Sequence, residues 1–137
     1  MITAVDRSVI LNVLTDDPQF GVASEAALRR ASGEGKLVVC ECVVAEVFPA
    51  LGNRDRLLEF MSDWQLRLSP LDEASAVLAG EYFARYLARG GQAKRVLPDF
   101  LIGAHAANAA DRLLARDRVY VRDYFTSIDL WAPSRER

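Results

Sequence analysis

Short apolar runs of strand length alternate with helix-period stretches along the whole sequence, and that alternation confines the chain to the α/β class. Ile2-Thr3-Ala4-Val5-Asp6 reads as a buried strand that ends in an acid. Ser8 is placed to cap a helix over residues 9–14, and Asp16-Asp17-Pro18 breaks it. A second helix is expected over residues 22–34, closed by Gly33 and Gly35. Leu37-Val38-Val39-Cys40 is the next strand, followed by a helix to about residue 51. Asn53 can cap a helix that carries Leu57, Leu58, Met61 and Trp64 on one face. A short strand is expected over residues 66–68. Asp72 then caps a long helix with Ala74, Leu78, Tyr82 and Tyr86 at four-residue steps, ended by Arg89-Gly90-Gly91. Pro98-Asp99 opens a helix to residue 110, with proline where its missing N–H costs nothing. Strands over residues 112–115 and 128–131 complete the series. Such a series predicts a parallel sheet covered on both faces.

One domain over residues 1–137 fits a chain of 137 residues. Apolar residues make up 51% and charged residues 26%, enough for a real core. No linker or repeat stands out. Asp6 interrupts the N-terminal stretch before a signal-type apolar run develops, and no apolar run approaches the roughly 20 residues of a membrane span. A cytoplasmic protein without a membrane partner is therefore expected. Cys40 and Cys42, which would face opposite sides if both lay in a strand, are read as small core hydrophobes. Together with His105 they give three soft ligands, one short of the usual closed zinc site.

A net charge of −2 argues against a passive nucleic-acid binder, although clustered acids for divalent cations would lower the total by themselves. Four acids are candidates for such a cluster. In open parallel sheets, sites form beyond the carboxyl ends of the strands. Asp6 ends the first strand, and Asp117 follows a late one. Asp99 opens a helix expected to start at the same rim, and Glu46 flanks the stripe Val43, Val44, Val47 and Leu51. Each acid also has a plain alternative: Asp6 as a helix cap, Glu46 as a solvated residue, Asp99 as a favourable charge at a helix N-terminus, Asp117 as a turn residue. Carboxylates crowded at one rim repel one another, and a divalent ion is the usual resolution. Oxygen donors alone select Mg²⁺ or Mn²⁺, which suits phosphodiester hydrolysis. Phosphate-cradling glycine loops are absent from the sequence.

These residues resemble the PIN-domain family. Ala4-Val5-Asp6-Arg7-Ser8 is similar to its first strand and first acid, and Val44-Ala45-Glu46-Val47 to its glutamate helix. The stretch from Leu97-Pro98-Asp99-Phe100 to Gly103-Ala104-His105-Ala106 is similar to its most recognisable segment. Asp111-Arg112-Leu113-Leu114-Ala115-Arg116-Asp117 resembles the strand bearing its fourth acid, with Tyr124-Phe125 as the usual sequel. Within that family the residues resemble VapC toxins more than the larger eukaryotic members. The resemblance implies a three-layer α/β/α domain, a Mg²⁺-dependent endoribonuclease acting on RNA, a homodimer, and inhibition by a VapB-type antitoxin. It also implies catalytic roles for Asp6, Glu46, Asp99 and Asp117, with Asp6, Asp99 and Asp117 as metal ligands. Ser8, Arg112 and Arg116 are candidates for substrate contact. Arg7, Cys40 and Ala115 stand where the family commonly carries hydroxyl residues. Other readings of the same residues are an RNA-processing nuclease without an antitoxin, a catalytically idle dimeric binding module, and a metal-dependent phosphatase. Aromatic and aliphatic residues between Leu57 and Tyr86 are numerous enough to suggest a two-fold interface.

Overall fold

The computed structural model describes residues 1–92, 95–116 and 119–133. Its elements run in the order β1 (Ile2–Val5), α1 (Arg7–Leu14), α2 (Gly21–Glu34), β2 (Lys36–Val39), α3 (Glu41–Leu51), α4 (Arg54–Trp64), β3 (Leu66–Leu68), α5 (Glu73–Ala88), α6 (Leu97–Ala109), β4 (Arg112–Leu114), α7 (Val119–Tyr124) and β5 (Asp129–Trp131). The strands form one parallel sheet in the order β3-β2-β1-β4-β5. Thr3, Ala4 and Val5 of the central strand are all buried. Successive strand residues point to opposite faces, so both faces are covered, as the three-layer α/β/α architecture requires.

The order of strands decides where a site can form. From β1 the chain winds one way to β2 and β3, and it returns on the other side of β1 to β4 and β5. The crevice of a doubly wound sheet lies beyond the carboxyl ends at that reversal, here between β1 and β4. Pairing continues one residue past β1, where Asp6 N–H donates to the Leu114 carbonyl at 2.9 Å.

Several helix ends follow from local chemistry. Asn53 and Asp72 accept the N–H groups of Arg56 and Ser75 at 2.9 and 2.8 Å, capping α4 and α5 as expected. Gly52 ends α3 at φ 84°, a left-handed conformation that glycine adopts without a Cβ clash. The cap of α1 differs from expectation. Asp6, not Ser8, occupies that position, and Ser8 lies inside the helix. Cys40 stands at the N-cap position of α3 and Cys42 lies within the helix; both thiols are free. Burial raises the pKa of both, that of Cys42 to about 11.

Phe100 is fully buried at the centre of an aromatic cluster. Phe83, Tyr86, Tyr120, Tyr124 and Phe125 surround it at ring separations of 5.7, 5.7, 5.8, 5.3 and 6.5 Å. The α5 aromatics that suggested a dimer surface thus pack within the chain. The same cluster holds α7, a helix absent from the sequence expectations. Among the described residues, no helix is long and apolar enough to cross a membrane.

Candidate active site

Asp6, Glu46 and Asp99 come from three separate elements and meet at the carboxyl rim. Asp6 is wholly buried at the junction of β1 and α1. Its Oδ2 accepts the Ser8 N–H at 3.1 Å and the Ser8 hydroxyl at 2.5 Å. The same Ser8 oxygen accepts the Arg116 backbone N–H at 3.1 Å. One hydroxyl therefore ties the first acid to the chain leaving β4, and the α1 N-terminus places its dipole beside Asp6.

Asp99 lies in the first turn of α6 with a side chain 9% exposed. Its neighbour Phe100 anchors that turn in the aromatic cluster. Tyr120 hydrogen-bonds to Tyr86, which raises the Tyr120 pKa, and the charge of Asp99 adds to the rise. This pair of tyrosines beside Asp99 has no signature in the sequence beyond aromatic residues at core spacing.

Glu46 projects from α3 with a side chain 29% exposed. Burial raises its pKa, the Arg7 guanidinium opposes that rise, and the charges of Asp6 and Asp99 add to it. Glu46 therefore lies within electrostatic reach of the other two acids. Arg7 joins Glu46 and Asp99 directly: Nη1 lies 3.1 Å from Glu46 Oε1 and 3.4 Å from Asp99 Oδ1. Arg7 is the first residue of α1, and Cα–Cβ bonds in a helix tilt toward its N-terminus, which directs this side chain back over the rim. Its position beside the first acid was the available sequence signal.

Of the other candidates, Asp117 lies outside the described residues. Arg116 stands at the rim, with Nη1 3.4 Å from Asn12 Oδ1 and its guanidinium over the Phe20 ring at 4.7 Å. Arg112 is elsewhere. It begins β4, so it sits at the amino end of the sheet, buried against Thr3 Oγ1 at 2.9 Å, Glu34 at 3.2 Å and the Trp131 ring at 4.4 Å. The structure gives it a stapling position rather than a place at the acid rim.

A hard divalent ion fits the donor chemistry of Asp6 and Asp99, both oxygen ligands near the strand ends. Among the described residues, however, no three acid, histidine or cysteine side chains converge to enclose an ion. Glu46 and Asp99 converge instead on Arg7. A broad depression lined by Glu73, Val77, Glu81 and Asn108 is separate. Asn108 is nine residues along α6 from Asp99, about 13 Å at the helical rise.

The family described as PIN domain matches residues 3–124. Solved structures share the fold at low sequence identity. VapBC2 from Rickettsia felis, bound to a DNA fragment from the promoter, superposes with a TM-score of 0.74 at 15% identity, over 98% of this chain and 100% of that one. VapBC-1 from nontypeable Haemophilus influenzae gives 0.69 at 15% identity, over 96% and 98%. FitAcB from Neisseria gonorrhoeae gives 0.64 at 19% identity, over 96% of each chain. No curated protein matches the sequence.

Proposed function

The chain belongs to the PIN-domain family, and from that premise we propose that it is a Mg²⁺-dependent endoribonuclease, the toxin of a VapBC-type pair. PIN domains are generally nucleases. The observation that carries the finer reading is the meeting of Asp6, Glu46 and Asp99 at the β1–β4 switch point. Asp6 and Asp99, with Asp117 as the proposed third ligand, would hold Mg²⁺ or Mn²⁺. Such an ion, when bound, supplies charge neutralisation at phosphate and an activated water.

The chain's own residues do the rest. Ser8 fixes the orientation of Asp6 through its hydroxyl, and Phe100 fixes that of Asp99 through packing. Glu46, whose proton affinity burial has increased, accepts a proton from the attacking water. Arg116 lends positive charge at the rim for the RNA backbone, while Ser8 acts on Asp6 rather than on substrate.

The test uses the purified full chain and RNA. Cleavage is expected with Mg²⁺ or Mn²⁺ and not with excess chelator, and it is expected to vanish in Asp99→Asn. Cleavage that persists in chelator, in a preparation free of contaminating ribonuclease, rejects the metal reading. The Arg7 ion pairs favour one second reading, a catalytically idle binding module, and the same assay separates the two.

Partners are proposed on the same basis. The structural neighbours are toxin–antitoxin complexes, and an acidic rim suits an antitoxin segment that inserts an arginine. A small protein with a basic, amphipathic C-terminal region, encoded beside this chain, is expected to suppress cleavage. An Arg-to-Ala variant of that region is expected to inhibit less. A homodimer working in the cytoplasm completes the proposal, and light scattering at micromolar concentration checks the dimer.

A further inference from the structure

We infer that Arg7 is a resident counter-ion of the acid rim, which a divalent cation must displace in order to bind. This rests on the reading of the rim as a metal site and adds a control on its occupancy. Three observations carry it. First, a single nitrogen, Nη1, donates to carboxylate oxygens from two different helices, Glu46 of α3 at 3.1 Å and Asp99 of α6 at 3.4 Å. The point on which those oxygens converge is therefore already held by a cation. Second, among the described residues no three acid, histidine or cysteine side chains are already gathered to hold an ion, at this point or at another. Third, the Arg7 side chain is 25% exposed, so the guanidinium has a path to solvent that leaves the core intact.

The chemistry of exchange follows. Mg²⁺ demands oxygen ligands at about 2.0–2.1 Å in near-octahedral geometry, and a guanidinium approaching the same carboxylates raises the electrostatic cost of binding it. Metal entry therefore involves loss of the Arg7 pairs. In the metal-free protein, Arg7 offsets repulsion among Asp6, Glu46 and Asp99, so the rim keeps its shape without an ion. Metal affinity is lowered in return. Arg7 is thus a positioning residue whose effect is read in binding, apart from turnover.

Titration of the full chain with Mn²⁺, followed by electron paramagnetic resonance of the free ion, tests this directly. Arg7→Gln keeps polarity but removes the charge, and it is expected to bind Mn²⁺ at least about tenfold more tightly than wild type. Arg7→Lys keeps the charge and is expected to bind within about threefold of wild type. In the wild-type protein, the ¹H–¹⁵N side-chain resonance of Arg7 is expected to shift on Mg²⁺ addition and to saturate with the metal. Equal or weaker Mn²⁺ binding by a folded Arg7→Gln protein overturns the inference, as does an Arg7 resonance unmoved at saturation. If Arg7→Gln does not fold, the resonance alone decides. Wild-type binding without a gain in Arg7→Gln rejects the counter-ion role and leaves the metal site standing. Failure of every protein to bind Mn²⁺ rejects both.

Discussion

Gly103 of α6 lies so close to Phe125 that a Cβ added to it would fall 2.6 Å from ring atom Cε2 and 2.8 Å from Cδ2. Phe125 has little room to retreat. It is buried, and Tyr82 packs edge-on against it at 4.8 Å. Gly103→Ala is therefore expected to cost about 1–3 kcal/mol in denaturant melts. The double variant with Phe125→Leu is expected to recover part of that loss, because the smaller side chain can yield. A single variant as stable as wild type would show that the α6–Phe125 contact is loose.

The acid cluster makes a different prediction, about activity rather than stability. Asn keeps the shape of Asp and an oxygen that can accept the Ser8 N–H, yet it removes a charged ligand. Asp6→Asn and Asp99→Asn are expected to lower RNA cleavage by at least about a hundredfold while melting near wild type. Asp129→Asn, exposed on β5, is the control and is expected to cleave normally. Cluster variants as active as wild type would move the site elsewhere.

His105 gives a pH dependence independent of catalysis. Its pKa is lowered from 6.5, chiefly by burial, against the raising influence of Glu41, a Ser69 backbone hydrogen bond and Asp72. The unfolded chain thus takes up a proton below about pH 6.5 that the folded chain resists, so acidification favours unfolding. Above that value the contribution is flat. As pH falls from 6.5 toward the lowered folded value, stability is expected to drop progressively. His105→Gln carries no titrating proton and is expected to flatten that part of the profile, as urea melts at pH 5 and 7 would measure. An unchanged slope in the variant would assign the pH dependence to other groups.

Arg112 separates stability from catalysis in the opposite sense to the acids. Arg112→Ala removes a buried guanidinium from Thr3, Glu34 and the Trp131 ring. The loss is expected to be about 2 kcal/mol, discounted because Glu34 remains partly in water. Cleavage per folded molecule is expected to be unchanged, since the residue lies at the far end of the sheet. A selective loss of activity with a normal melt would return Arg112 to the substrate-contact candidates.

The contrast between Arg112 and Arg116 also shows where a sequence stops being legible. Both residues flank the same apolar run, and spacing alone does not say which faces a ligand. Strand direction does: in this sheet the first residue of β4 lies at the amino end, and the residues after it lead to the rim. The apolar run Leu37-Val38-Val39 and the caps Asn53 and Asp72 were readable because their causes are local. Asp6 and Ser8 were harder to assign, since both residue types cap helices and they stand two positions apart. The backbone settles it, with Asp6 extended at ψ 155° and Ser8 helical. Helix α7 was not legible, because six residues carry little intrinsic helical preference and packing of Tyr120 and Tyr124 on Phe100 sustains them. Of the candidate acids, Asp6, Glu46 and Asp99 could be gathered from topology. The pairing of Arg7 with Glu46 and Asp99 was not legible, because a charge beside an acid in sequence need not be its partner in space.

The bond from Ser8 to Arg116 joins positions 108 residues apart, and the flanking β1–β4 pairing is equally remote in sequence. Closing such a distance is slow in folding, and it has an order in time during synthesis, because chains leave the ribosome first residue first. Asp6 emerges early but has no β4 beside it and no Arg116 N–H to set its serine. Asp99 lacks its anchoring ring cluster until Tyr120, Tyr124 and Phe125 follow. A nascent chain shorter than this therefore has the acids without the rim, and whatever the finished protein does there, its unfinished copies on the translating ribosome do not yet have the assembled site with which to do it.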